Sequence, residues 1–266
     1  EGGDGMRLLS KVVISIFASL GFVVPAFAAE RAIIVLDGSG SMWAQIDGVP
    51  RISIARDTLT SVLSTLPGDF ELGLMTYGHR ERGNCSDIEM LVEAGPGTSD
   101  QIIAAANGIN PRGMTPLSDA VRIAAESLRY TEERATVILI TDGLETCEID
   151  PCALGTELES MGIDFTTHVL GFGLSDDEGR QVACLAENTG GRYLSASDGD
   201  GLVEALTATV AEVAKVEPQP EPKPEPVPDP EPAALEQNFT IEASLSEGGE
   251  LLGRENGEFY WELSLV

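Results

Sequence analysis

Short apolar runs alternate with amphipathic segments along most of this chain, and the alternation predicts its secondary structure. Runs of consecutive apolar residues bounded by charge and glycine are typical of strands buried on both faces of a parallel sheet. Segments with apolar residues at a helical period lie between these runs. The predicted strands are 32–36, 70–77, 87–93, 135–141, 164–171 and 191–195. The predicted helices are 51–66, 99–109, 116–130, 151–161, 177–188 and 199–215.

This order of elements predicts an α/β fold of the Rossmann-like, doubly wound kind. Strands that alternate with helices form a mostly parallel sheet, here of six strands, with helices on both faces. The short segment 87–93 is the exception, since we expect it to pair antiparallel at the edge of the sheet. No internal sequence repeat is visible within these elements.

The chain begins with a pattern that is typical of a secretory signal. Met6 is followed by two basic residues, by an apolar run over 12–24 and by the small residues Ala26 and Ala28. The alternative is an uncleaved membrane anchor, but the apolar run is short for a span. We expect residues 1–28 to be upstream residues and a signal peptide cleaved after Ala28, and the protein to be periplasmic or secreted. The mature chain shows no further membrane span.

Three further segments are expected after cleavage. Residues 29–216 carry the α/β domain. Residues 217–232 have proline at every second position and mostly acidic residues between, which predicts an extended polyproline II linker with a spacer role. Residues 233–266 alternate apolar and polar positions, which predicts the start of a β-rich C-terminal segment. That segment is too short to bury its own core and is consistent with the truncated first part of a longer domain.

Charge narrows the classes of partner. The chain has 44 acidic and 16 basic residues, a formal charge of −28 and a pI near 4.1. Such an acidic protein is a poor partner for nucleic acid or for anionic lipid. The hydrophobic content of 42% is enough for a proper core, so the acidic residues belong to the surface.

Oxygen-bearing side chains follow two of the predicted strands. Asp37, Ser39 and Ser41 come at alternate positions after strand 32–36, and Asp142 follows strand 135–141. A serine-rich turn after a strand commonly only caps the next helix. Here, however, both strand ends belong to one edge of a doubly wound sheet, where ligands bind, and Thr115 adds a hydroxyl just before a helix. These hard oxygen ligands suit Mg²⁺ or Mn²⁺.

The motif Asp-x-Ser-x-Ser, followed by Thr115 and by Thr-Asp-Gly at 141–143, resembles that of the von Willebrand factor A (vWA) domain family. The resemblance covers about residues 30–215, points to a bacterial exported member and implies a metal-ion-dependent adhesion site (MIDAS). Ser39, Ser41 and Thr115 would coordinate the metal through hydroxyls. Asp37 and Asp142 would act largely through bound water.

The four cysteines are expected to form disulfides. Export places them in an oxidising compartment, and the loose spacing of Cys147 and Cys152 argues against the alternative, a zinc site. The family sheet order would separate Cys85 and Cys184 by about four strand spacings, roughly 19 Å, which is beyond disulfide reach. The resemblance therefore implies that Cys85 pairs with Cys147 or Cys152, and that Cys184 pairs with the other.

Three residues near the motif are candidates for a partner-binding rim. Trp43 follows the metal loop and is either an exposed anchor or packing beneath the loop. His79 and Arg80 follow strand 70–77 on the same face, although a lone histidine there is more often an ordinary loop residue.

We interpret the domain as a metal-dependent protein-binding module, which would serve as an adhesion or scaffold domain of the cell envelope. A metal ligated mainly by neutral oxygens favours an anionic ligand, so the expected partner is a protein that presents Asp or Glu. We expect no enzyme activity. The alternatives are a metal-assisted, phosphatase-like hydrolase, and a regulatory subunit resembling calcium-activated chloride channel proteins. The hydrolase is disfavoured because no second carboxylate lies two residues after Asp37 and no general base is evident.

Overall fold

The computed structural model of the chain describes residues 31–214, together with the short strands at 254–255 and 258–259. Contacts divide the chain into two units, Glu1–Gln219 and Pro220–Val266. The predicted signal peptide, the proline-rich linker and most of the predicted C-terminal β segment lie outside the described residues. Their boundaries therefore stay predictions.

The described residues form strands and helices in nearly regular alternation. The strands are β1 Arg31–Asp37, β2 Gln45–Ile46, β3 Val49–Pro50, β4 Glu71–Tyr77, β5 Ile88–Gly95, β6 Ala135–Thr141, β7 Phe165–Phe172, β8 Tyr193–Ala196, β9 Arg254–Glu255 and β10 Glu258–Phe259. The helices are α1 Arg51–Leu63, α2 Ser99–Gly108, α3 Leu117–Ser127, α4 Pro151–Met161, α5 Asp176–Glu187 and α6 Gly199–Val213.

Six strands build the main sheet in the order β5-β4-β1-β6-β7-β8. All neighbours in it are parallel except β4 and β5, which pair antiparallel at one edge. The predicted fold class, including its antiparallel edge strand, is confirmed. Strand order reverses beside β1, so the carboxyl ends of β1 and β6 flank the crevice where ligands bind in such sheets.

Each face of the sheet has its own hydrophobic core, because successive side chains of a strand point to opposite faces. Ile34 and Leu36 of β1 belong to the core shared with α1, α2 and α6. Ile33 and Val35 belong to the core shared with α3, α4 and α5. Both faces are thus covered, which accounts for the unbroken apolar run of β1. Within residues 31–214, no helix has both the length and the apolar character needed to cross a membrane.

The structure differs from the sequence prediction in one connection. The segment between β1 and α1 contains a 3-10 turn over Gly40–Trp43 and a small hairpin of β2 and β3. Asp47 and Gly48 form the hairpin turn, both with positive φ. An Asp-Gly pair is a common two-residue hairpin turn, so the sequence held a signal for this element that the periodicity did not reveal.

Candidate metal-binding site

Asp37 ends β1 with its side chain completely buried and both carboxylate oxygens hydrogen-bonded. The backbone N–H of Ser39 donates to Oδ1 at 2.7 Å. The hydroxyl of Thr141, the last residue of β6, donates to Oδ2 at 2.9 Å. Tyr77 in turn donates its hydroxyl to that of Thr141 at 3.2 Å. These contacts from neighbouring strands fix the orientation of the Asp37 carboxylate.

The two serines connect the β1 loop to the carboxylate after β6. The hydroxyls of Ser39 and Ser41 are hydrogen-bonded to each other at 2.8 Å. Ser41 also donates its hydroxyl to Asp142 Oδ1 at 2.6 Å. The structure thus places four of the five predicted metal ligands in one continuous chain of contacts: Asp37, Ser39, Ser41 and Asp142.

Thr115, the fifth predicted ligand, lies on a loop that packs directly against the β1 loop. Ser39 forms a parallel bridge with Gly113, and the N–H of Gly40 donates to the carbonyl of Gly113 at 3.2 Å. The N–H of Thr115 donates to the Thr146 hydroxyl at 2.8 Å, and the carbonyl of Thr115 accepts from the N–H of Thr146 at 3.2 Å. Its backbone is therefore held on both sides.

Gly143 shows that the Thr115 and Ser41 hydroxyls border a common space. A methyl group added at Gly143 would lie 3.5 Å from Ser41 Oγ and 3.8 Å from Thr115 Oγ1. Within residues 31–214 the Thr115 hydroxyl makes no hydrogen bond. Two hydroxyl oxygens on the border of a small space left open by a glycine are compatible with a bound cation.

The carboxyl group of Asp142 has a raised pKa. Burial raises the pKa of its carboxyl group to about 6, and the nearby charge of Asp37 adds to the effect. The hydrogen bond from Ser41 and the ion pair with Arg51 oppose the rise. Arg51 Nη1 lies 2.9 Å from Asp142 Oδ2, and Arg51 Nη2 donates to the carbonyl of Gly173 at 3.1 Å. Arg51 thus supplies one positive charge to a pocket with two carboxylates.

The chemistry of these ligands fits a small, hard cation. Across residues 31–214, no three His, Cys, Asp or Glu side chains cluster as a metal site of their own. An ion here would depend on the hydroxyls of Ser39, Ser41 and Thr115 as well as on the two carboxylates. Neutral hydroxyl and carboxylate oxygens suit Mg²⁺ or Mn²⁺ and not a soft metal.

Two disulfides lie in the described domain, and one of them joins loops near this edge. Cys85 pairs with Cys147, and Cys152 pairs with Cys184, so none of these four cysteines is available as a thiolate ligand for zinc. The first bond joins the loop after β4 to the loop after β6, and the second joins α4 to α5. The prediction of two disulfides is confirmed, and so is the constraint that Cys85 and Cys184 have different partners.

The three predicted rim residues occupy different environments. Trp43 is 49% exposed, and its indole N–H donates to the carbonyl of Pro111 at 2.9 Å. His79 is mostly buried, and its Nε2 lies 3.0 Å from Glu89. Arg80 is exposed but forms ion pairs with Asp87 and Glu89. Trp43 therefore offers a free apolar surface, whereas Nε2 of His79 and the guanidinium of Arg80 are engaged within the domain.

Sequence reasoning missed the residues that support the five predicted ligands. They are Arg51, Tyr77, Thr141, Gly143 and Thr146. Arg51 had a detectable signal, because a basic residue in the first turn of a helix opposes the helix dipole. Thr141 and Gly143 were part of the motif but were assigned no role.

Comparison with known proteins identifies the domain. The sequence model of the von Willebrand factor type A domain family matches residues 32–145. Residues 32–145 are therefore similar to this family.

A curated relative extends the similarity beyond this stretch. Uncharacterized protein YwmD of Bacillus subtilis (strain 168) is 28% identical over 213 residues, which span 75% of this chain and 95% of YwmD. The similarity therefore covers nearly the whole length of that relative.

Solved structures share the fold at low sequence identity. The pilus adhesin SpaC from Lactobacillus rhamnosus GG has a TM-score of 0.59 and 17% identity, covering 70% of this chain and 31% of SpaC. A von Willebrand factor type A protein from Catenulispora acidiphila has a TM-score of 0.55 and 17% identity, covering 70% of this chain and 43% of that protein. The chain therefore spans less than half the length of either protein, and the likeness is one of fold.

Proposed function

We propose that this domain is a protein-binding adhesion or scaffold module of the cell envelope, and that it binds an acidic side chain of a partner protein through Mg²⁺ or Mn²⁺ at the site of Asp37, Ser39, Ser41, Thr115 and Asp142. The observation that carries the proposal is that Asp37, Ser39, Ser41 and Asp142 form one chain of hydrogen bonds. The hydroxyls of Ser41 and Thr115 border the space that Gly143 leaves open.

The charges at the site support an acidic ligand. Arg51 already offsets one of the two carboxylates. A bound divalent cation would supply positive charge that a carboxylate from outside can approach. This explains how a chain with a formal charge of −28 could bind an acidic partner. The pilus adhesin that shares the fold agrees with such a role.

Both disulfides support export, because disulfides persist in oxidising compartments. We propose a periplasmic or secreted location, with signal cleavage after Ala28. Amino-terminal sequencing of exported protein is expected to return Ala29; a chain beginning at Met6 would contradict this.

A pull-down from envelope extract tests the proposed function. The full chain should retain a partner in Mg²⁺ and release it in EDTA. Thr115→Val should lose this binding without loss of fold, because the Thr115 hydroxyl has no hydrogen bond to lose within the described domain. Thr209→Val, a helix position far along the chain, is the matched control and should retain it. Equal capture in Mg²⁺ and EDTA would contradict the proposal. No phosphatase activity with Mg²⁺ is expected.

A further inference from the structure

Two arginines stand apart from the others in the described domain. Arg82 and Arg112 are exposed and make neither an ion pair nor a side-chain hydrogen bond within residues 31–214. The other arginines there are engaged. Arg56 donates to backbone carbonyls, and ion pairs hold Arg31, Arg51, Arg80, Arg122, Arg129, Arg134, Arg180 and Arg192.

Both free arginines lie on loops that border the candidate metal site. The N–H of Arg112 donates to the carbonyl of Gly38 at 3.2 Å, inside the metal loop. A methyl group on Gly40 would lie 3.6 Å from the Arg112 carbonyl. The loop of Arg82 contacts the same segment, since a methyl group on Gly113 would lie 2.4 Å from the carbonyl of Glu81. The two loops therefore run side by side along one border of the site.

Trp43 continues this surface. Its indole N–H is bonded to the carbonyl of Pro111, the residue before Arg112. The hydrogen bond fixes the ring while nearly half of the side chain stays exposed. Tryptophan and arginine are among the residue types most enriched at the energetic centres of protein interfaces. We call Trp43, Arg82 and Arg112 the basic strip.

Nearby carboxylates do not neutralise the strip. Asp87 accepts from Arg80 and from two backbone N–H groups. Glu89 pairs with His79 and Arg80, and Glu81 accepts from the side chain of Asn84. The chain has 44 acidic and 16 basic residues, so two arginine side chains without an ion pair beside the candidate site are unusual. Their free positive charges favour an anion from outside the domain.

We infer that the basic strip binds an acidic peptide segment of the partner, with at least two carboxylates. This rests on the proposed function: one carboxylate lies at the metal site, and further ones pair with Arg82 and Arg112 while Trp43 packs against the peptide. The acidic remainder of the surface repels the same segment, so the strip also fixes its orientation.

Two synthetic peptides test the strip with the full chain in Mn²⁺. One has a single glutamate among glycines, and the other has three glutamates separated by single glycines. Exposed ion pairs contribute modestly, so the three-glutamate peptide is expected to bind about three- to tenfold more tightly. This preference should shrink at high salt, which screens exposed charges.

Variants assign the preference to the strip. Arg82→Gln/Arg112→Gln should abolish it and leave binding of the single-glutamate peptide unchanged. Arg129→Gln/Arg192→Gln is the matched control and should keep the preference for the three-glutamate peptide. It removes two exposed arginines that precede the amino ends of β6 and β8, whereas the candidate site lies at the carboxyl ends of the strands. Trp43→Ala should weaken binding of both peptides.

The outcomes separate this inference from the proposed function. Metal-dependent binding of both peptides with equal affinity, or a preference that survives in Arg82→Gln/Arg112→Gln, would overturn the basic strip alone. Binding of neither peptide in Mn²⁺, or equal binding in EDTA, would overturn the proposed function and the strip with it.

Discussion

At the scale of single residues, the site is defined by two buried carboxylates whose charges are only partly compensated. Asp37 is held by hydrogen bonds from Ser39 and Thr141, and Asp142 by Ser41 and Arg51. The five predicted ligands were readable because their spacing is specific. The pairing of Arg51 with Asp142 was not, because the two positions lie 91 residues apart and no local pattern connects them.

The raised pKa of Asp142 predicts how the metal-free protein responds to pH. Its pKa is 3.8 ordinarily and about 6 when folded, because of burial and the neighbouring Asp37. The folded state therefore binds the proton more tightly, and this contribution to stability is complete below pH 4 and lost as pH rises through about 6. In EDTA, the free energy of unfolding should fall by up to about 3 kcal/mol over that window.

Asp142→Asn is the control for this pH dependence, since other groups also titrate, among them His168, whose pKa burial lowers. The difference between the two denaturation curves isolates Asp142. A difference that does not change between pH 4 and 7 would show that the carboxyl group is not perturbed.

Arg51 is expected to compete with a bound cation for the role of neutralising Asp142. Arg51→Gln should destabilise the metal-free protein by about 1–3 kcal/mol, less than for a fully buried pair because the arginine retains some exposure. Mg²⁺ should then raise the melting temperature of this variant more than that of the wild type. Arg122→Gln, which breaks a surface pair, should respond to Mg²⁺ as the wild type does, and equal responses in all three proteins would refute the competition.

At the scale of elements, the sheet brings the five predicted ligands to one edge and the loops hold them there. The parallel order of β1 and β6 was predictable from the apolar runs, as was the position of both strand ends at one edge. The Cys85–Cys147 pairing was narrowed to two choices but not decided, because either cysteine of the segment after β6 was within reach. The contact of Thr146 with Thr115 was not predictable, since it depends on the path of that loop.

The two disulfides are predicted to differ in their effect on metal binding. Cys147 follows Thr146, which holds the backbone of Thr115. Cys85→Ser/Cys147→Ser should therefore weaken Mn²⁺ binding as well as stability. The Cys152–Cys184 disulfide joins only α4 to α5. Cys152→Ser/Cys184→Ser should therefore reduce stability and leave Mn²⁺ binding unchanged. Each loss is expected to cost about 2–5 kcal/mol of unfolding free energy; equal Mn²⁺ affinities in both variants would contradict the distinction.

At the scale of the whole molecule, the protein is acidic, with a formal charge of −28. Its two disulfides suggest an exported protein, because disulfides persist in oxidising compartments. The fold class followed from the alternation of strands and helices, because covering both faces of a parallel sheet leaves few other arrangements. The basic strip did not follow from composition, since it depends on which arginines the fold leaves without partners. Thiol titration of denatured, unreduced protein from its native compartment should find no free cysteine.

The most direct test of the account is a calorimetric titration of the full chain with Mn²⁺ at pH 7.5, beside Asp37→Asn and Thr115→Val. Asp37→Asn keeps the shape of the buried side chain and removes its charge, and Thr115→Val removes one hydroxyl from the border of the site. The wild type is expected to bind Mn²⁺ at this site, and both variants are expected to lose or strongly weaken this binding. Circular dichroism should show that all three proteins are folded. A wild type that binds no Mn²⁺, or variants that bind it with undiminished affinity, would contradict the assignment of a metal site to this edge of the sheet.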